Sequence, residues 1–293
     1  MISIVIPVYN QASKLSRCLD SILAQTILTS PQDPSQPSPS QGEGVAPLIK
    51  GDRGILELII VNDGSTDNVE SVIKKYENKF ASFTPHLSEM PDSSSADSNT
   101  APKGAGFIFI NQENKGSNPA RNHGFQESKG EYIIFCDADI IMEPEMLEIM
   151  LSTLEKNPQA SYAYSSFKYG WKNFKLWPFD AEKLKKMPYI HTTSLIRREH
   201  FPGFDEKIKR LQDWDLWLTM LEQGRAGIWI NKVLFQVHSG GTISIWLPSF
   251  AYKILPFLKS VKKYKAAEEI IREKHRLTVI ASEAASAKRG NLG

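Results

Sequence analysis

Glu131-Tyr132-Ile133-Ile134-Phe135-Cys136-Asp137-Ala138-Asp139 is an apolar run that ends abruptly in two carboxylates. Its β-forming residues place apolar side chains on both faces, which suits a central strand of a parallel sheet covered by helices on either side. Strand side chains alternate, so Asp137 and Asp139 are expected to point the same way just beyond the carboxyl end. Open α/β sheets bind their ligands at that edge. Two close carboxylates repel unless a cation lies nearby, and oxygen-only ligands favour a hard ion such as Mg²⁺ or Mn²⁺, shared with substrate phosphates. The competing reading is a chance Asp-X-Asp triplet, or a cap for the next helix.

Upstream, three more strands each lead into a helix. Ile2 to Ile6 form the first strand, Pro7-Val8-Tyr9-Asn10 leave it as an irregular turn, and Leu15, Cys18, Leu19, Ile22 and Leu23 recur at helical spacing. No glycine-rich phosphate loop stands here, so a nucleotide must be held by side chains and metal. Ile55 to Val61 form the second strand, ending in Asn62-Asp63-Gly64-Ser65-Thr66-Asp67. Ser65 to Asp67 offer an N-cap to the helix marked by Val69, Val72, Ile73, Tyr76 and Phe80, which leaves Asp63 unexplained. Phe107 to Ile110 form the third strand. Asn114-Lys115-Gly116 then leads into a helix with Pro119 in its first turn and Arg121 beside it. A helix N-terminus is a poor place for a cation unless an anion is present; packing or a pair with Glu127 or Glu131 are the other readings.

After Asp139, taken as the end of the fourth strand, Pro144 opens a helix. The resulting series of strand-helix units predicts an α/β, doubly wound, mostly parallel sheet with helices on both faces. Further on, Ala160 to Tyr164 reads as a fifth strand, Leu211 to Glu222 as a helix, and Gly227 to Asn231 and Val233 to His238 as two strands. Residues 29–54 and 84–106 are rich in Ser, Pro and Gly and read as disordered insertions.

The 293 residues are enough for a substantial core, and a net charge of +2 is too mild to point to nucleic acid as a partner. Cys18 and Cys136 each lie inside an apolar pattern, so neither a disulfide framework nor a zinc site is expected. No apolar run is long enough to span a bilayer, and the chain reads as cytoplasmic. A tail from 243 to 293 carries Trp246, Leu247, Phe250 and Ile254 ahead of Lys259, Lys262, Lys263 and Lys265. It either packs on the domain or lies peripherally at the inner face of the plasma membrane.

Read together, Ile4-Val5-Ile6-Pro7-Val8-Tyr9-Asn10, Val61-Asn62-Asp63-Gly64-Ser65-Thr66-Asp67, Asn114-Lys115-Gly116 with Ala120-Arg121-Asn122, Asp137-Ala138-Asp139, Gly203-Phe204-Asp205-Glu206, Asp213-Trp214-Asp215-Leu216-Trp217 and His238 occur in the order of a known family. The chain resembles the inverting nucleotide-sugar glycosyltransferases of family 2, over residues 1 to about 242. That resemblance implies a GT-A fold with an irregular acceptor region. It also implies a nucleotide-sugar donor, usually a UDP-sugar, and a saccharide, lipid-linked or other hydroxyl acceptor. Pro7, Val8 and Tyr9 would line the base and ribose pocket, and Asp63 would hydrogen-bond the base. Arg121 would lie near the diphosphate, and Asp137 and Ala138 near the ribose or a metal-bound water. Asp139 and His238 would hold Mn²⁺ or Mg²⁺, and Asp213 would be the catalytic base. Asp213 and Asp215 point to different faces of a helix, so only one can serve the site, the other being a surface or capping carboxylate. Gln212 departs from the Glu usual before the base, which is the one sequence hint of a degenerate sugar-nucleotide-binding protein. A sugar-phosphate nucleotidyltransferase would open with a glycine-rich loop where Pro7 to Asn10 stands. Between Tyr164 and Arg210, Trp171, Trp177, Tyr189 and His191 could stack on sugars or pack, with packing favoured for the tryptophans.

Overall fold

The computed structural model describes residues 1–28, 56–81, 106–238 and 258–277. Both expected insertions and the aromatic stretch beginning at Trp246 therefore fall largely or wholly outside the described residues. In chain order the elements are β1 (Ile2–Val8), α1 (Ala12–Leu23), β2 (Leu56–Asp63), α2 (Val69–Ala81), β3 (Phe107–Gln112), α3 (Ser117–Glu127), β4 (Tyr132–Phe135), β5 (Ile140–Met142) and α4 (Met146–Lys156). There follow β6 (Tyr162–Tyr169), β7 (Lys172–Phe174), α5 (Ala181–Lys186), β8 (Leu195–Arg197), α6 (Gln212–Glu222), β9 (Gly227–Val237) and α7 (Lys259–Lys274).

One nine-stranded sheet runs β3-β2-β1-β4-β8-β6-β9-β5, with β7 pairing β6. The β3-β2-β1-β4 half is parallel, and β8 joins β4 and β6 antiparallel. Helices cover both faces because the central strands are apolar on both. Ile2, Ile4, Ile6 and Ile134 pack with Leu15, Leu19, Ile73, Leu147 and Leu154 of α1, α2 and α4. Val5, Ile59, Ile133 and Phe135 pack on the other side with Ala120, Trp214, Trp217 and Leu218 of α3 and α6. At Gly124 in α3 an added Cβ would lie 2.4 Å from Val5 Cγ1, so only glycine lets this helix approach so closely.

Three expectations change. β1 continues through Pro7, which pairs with Val61. Val5 O accepts from Cys136 N on the β4 side, and Pro7, of the same parity, lacks its N–H where β4 has already ended. β4 stops at Phe135 rather than Asp139, and a turn closed by Ile140 N donating to Asp137 O carries the chain into β5. The two segments expected at 227–238 are one strand, β9, whose register against β6 shifts between Ser165 and Phe167. Such an irregularity absorbs the polar Asn231-Lys232 that reads as a break.

α7 lies on α6 and α5. Val261 and Ile271 are buried, Arg272 sits over the Trp214 ring at 5.5 Å and donates to Lys186 O, and Lys262, Lys263 and Lys265 face solvent.

Candidate active site at the carboxyl edge of the sheet

The loops after β1 and β2 are stitched together. Asn10 is left-handed, with φ of 52°; its N–H donates to Ser65 Oγ and its Oδ1 accepts from Thr66 N. Asp67 Oδ2 accepts from Ala12 N, the first residue of α1. The capping residues expected to serve α2 thus fix the start of α1 and the loop beneath it. Val8 is buried, while Tyr9 is 42% exposed.

Asp63 is almost fully buried at the end of β2. Its Oδ1 accepts from Gln112 Nε2 and Lys115 N, and its Oδ2 from Gly116 N. The carboxylate therefore shapes the entrance of α3, and one of its roughly four lone-pair positions is left for a ligand. Gly64, with φ of +71°, lies against Asn114 N, which is why the two loops touch.

Asp137 and Asp139 do not extend one strand face, because the turn after Phe135 rotates them apart. Asp137 Oδ1 accepts from Arg121 Nη2 at 2.7 Å. This is the partner of Arg121, in place of Glu127 or Glu131. Arg121 is buried, also reaches Asn118 Oδ1, lies over the Phe204 ring at 5.3 Å, and among the described residues its Nε has no hydrogen-bond partner. Phe204 itself is pinned to α3, since its N–H donates to Asn122 Oδ1 and Asn122 Nδ2 donates back. Burial raises the Asp137 carboxyl, but Arg121 outweighs it and holds the pKa below the ordinary carboxylate range. Asp139 turns toward α1, with Oδ2 3.9 Å from Lys14 Nζ. Burial first, then repulsion from Asp137, pushes it up to about 6. Ala138 is buried between them, and Cys18 and Cys136, free and buried, meet beneath at 3.7 Å.

His238 stands beside Asp139, its N–H donating to Asp139 O at 2.8 Å. The two side chains line one cavity of about 290 Å³ with Ser13, Lys14, Arg17 and Ile141. A carboxylate and an imidazole fit a hard or borderline divalent ion. Among the described residues no third His, Cys, Asp or Glu joins them, so phosphate oxygens or water would fill the rest of the coordination sphere. Lys14 and Arg17 escape a sequence reading because cations on the polar face of an amphipathic helix look like solvated surface; their only signal is their place at the carboxyl edge.

α6 begins after Leu211, a left-handed residue with φ of 57°. Asp213 in its first turn accepts from Trp214 N, and burial raises its pKa while the charges of Arg121 and Asp137 act on it in opposite senses. Asp213 thus belongs to the same electrostatic cluster as the Arg121–Asp137 pair. Gln212 Nε2 reaches Ser117 Oγ and Lys209 O, tying α6 to α3. Asp215 is neither surface nor cap. It is 3% exposed, bonded by His275 Nε2 at 2.8 Å and paired with Lys274 Nζ at 2.7 Å, a use that no local pattern signals.

His191 joins the cluster from the loop before β8. Its ring packs against the stacked pair Phe167 and Phe235, with centroids at 5.2 and 5.1 Å, and its Nδ1 accepts from Thr193 N. Burial, aided by Arg121 and opposed by Asp137, lowers its pKa to about 4, which keeps the imidazole neutral. Trp177 packs on Tyr189 at 4.9 Å. Trp171, against expectation, is 91% exposed on the β6–β7 turn.

The sequence profile described as Glycosyl transferase family 2 matches residues 3–213. The chain belongs to this family. Among its relatives, the chondroitin synthase of Pasteurella multocida (strain Pm70) and the hyaluronan synthase of Pasteurella multocida are each 28% identical over 256 residues, or 84% of this chain. The chain spans only 21% of the length of either. S. aureus TarS 1-349 in complex with UDP-GlcNAc superposes with a TM-score of 0.57 at 14% identity, covering 92% of this chain and 71% of TarS 1-349. Mannosyltransferase PcManGT from Pyrobaculum calidifontis, in complex with GDP-Man and Mn²⁺, gives 0.54 at 17% identity, covering 100% of this chain and 75% of its own. These likenesses establish the GT-A fold, and the family makes the chain a glycosyltransferase.

Proposed function

We propose that this family 2 glycosyltransferase moves a sugar from a nucleotide diphosphate donor, a UDP-sugar, to an acceptor hydroxyl with inversion. The observation that carries the reading is the Arg121–Asp137 pair at the carboxyl edge, 2.7 Å long, with Asp213 in the first turn of α6 within reach of their charges. A proton acceptor and a diphosphate-side cation are what one direct displacement requires. Asp213 takes the proton of the acceptor hydroxyl, and that oxygen attacks the anomeric carbon as the bond to the diphosphate breaks. A raised pKa suits a base that must hold this proton through the transition state.

Tyr9, Pro7 and Val8 line the base and ribose pocket, Asp63 offers its remaining lone pair to the base, and Asp137 with Ala138 borders the ribose. Arg121, oriented by its bond to Asp137, would lie on the diphosphate side. Asp139 and His238 would hold Mn²⁺ or Mg²⁺, which supplies Lewis-acid stabilisation of the departing diphosphate. The acceptor is a saccharide or another hydroxyl compound, a reading supported by the names of the polysaccharide synthase relatives. No described helix is long and apolar enough to cross a membrane, and the exposed lysines of α7 suit peripheral contact with an anionic bilayer. A screen of UDP-, GDP- and TDP-sugars for Mn²⁺-dependent thermal stabilisation tests the donor. Saturating ligand at one hundred times its Kd adds about 2.7 kcal/mol, and an unchanged melting temperature with every donor would overturn the reading.

A further inference from the structure

The cavity beside Asp139 holds more positive charge than two metal ligands require. Lys14 and Arg17 are three residues apart on α1 and so project from one helix face into this cavity. Among the described residues Lys14 Nζ is shielded and finds no hydrogen-bond partner; its ionic neighbour, Asp139 Oδ2, lies at 3.9 Å, beyond hydrogen-bonding range. An ammonium carries three donors, and shielding them unused is costly. An acceptor entering from outside would use them. Arg17 is exposed, and its Nη1 lies 3.2 Å from His238 Nε2. Two cations here face one carboxylate and one imidazole, so the cavity suits an incoming anion with several oxygens. A guanidinium fork and an ammonium are the side chains that grip phosphate.

We propose that Lys14 and Arg17 form an anion subsite for the donor's diphosphate, sharing its neutralisation with whatever cation Asp139 and His238 hold. The identity of the anion rests on the donor reading above. The subsite also implies that the protein keeps affinity for diphosphate when divalent metal is withheld.

Calorimetric titration with inorganic pyrophosphate in EDTA tests this independently of the base. Wild type should bind. Lys14→Met and Arg17→Met should each weaken binding about tenfold, the worth of one charge-assisted hydrogen bond, while Lys14→Arg should retain most of it. Arg17→Met alters an exposed side chain, so it decides the matter even if Lys14→Met folds poorly. Equal pyrophosphate affinity in wild type and Arg17→Met, or no binding by wild type in EDTA, overturns the subsite. A parallel titration of wild type, Lys14→Met and Arg17→Met with UDP and GDP in Mn²⁺ separates the two claims. Nucleotide binding that is indifferent to Lys14 and Arg17 overturns only the subsite, whereas no nucleotide binding overturns the donor reading.

Discussion

Replacing His275 with alanine should loosen α7 from α6, and the loss should depend on pH. Both ring nitrogens face carboxylates at 2.8 Å, Nε2 to Asp215 and Nδ1 to Glu222. A neutral imidazole has a single N–H, so only the doubly protonated ring donates to both. Burial lowers the His275 pKa, but these two partners outweigh it and raise the pKa above the ordinary histidine value. A folded-state pKa raised in this way contributes stability that is fully present below about 6.5 and is lost as pH rises through the folded value. The side chain of Asp215 is 4% exposed, whereas that of Glu222 is 56% exposed, so the Asp215 bond dominates and the Glu222 bond is largely screened. Asp215 keeps Lys274 in the variant, which limits the cost to about 2 kcal/mol for one charge-assisted bond. That corresponds to roughly thirtyfold faster amide exchange in α7 at pH 6. Exchange measured by mass spectrometry at matched pH should show the wild-type advantage shrinking between pH 6 and 8.5. An advantage that stayed constant or grew with pH would refute the imidazolium argument.

Asp213→Asn should lower kcat by roughly 10² to 10⁴ while leaving donor affinity unchanged, and Asp215→Asn should lower the melting temperature more than turnover; the reverse pattern would place the base on the other face of α6. Asp139→Asn should reduce donor affinity and turnover together, with partial recovery at high Mn²⁺, read from initial rates across a metal titration. His191→Phe keeps a ring against the stacked Phe167 and Phe235 but strands the Thr193 N–H, so urea unfolding should show a loss of about 1–3 kcal/mol. Gly/Ser linkers in place of residues 29–54 or 84–106 should leave kcat and KM within a few-fold, because each connects a helix to the amino end of the next strand.

The parallel half of the fold is legible because β1 and β2 are buried on both faces and alternate with helices of clear apolar period. The other half is not, since β5, β7 and β8 are three residues each and their pairings are set by tertiary contact rather than by pattern. Site residues at strand ends, Asp63 and Asp137 among them, stand out as carboxylates with no local use. Their orientation does not, because the turn after Phe135 lies inside a run that reads as strand. Lys14, Arg17 and the partners of Asp215 were hidden for a different reason: each acts on residues far away in the chain, where periodicity carries no information.

The brace on α6 has a bearing on biosynthesis. Asp215 emerges from the ribosome 59 and 60 residues before Lys274 and His275, an interval of about 3–12 s at ordinary elongation rates. Throughout that interval Asp215 lacks the ammonium and imidazole that hold it in the finished fold. A chain interrupted before Lys274 would therefore leave the helix that carries the proposed base without its tie to α7.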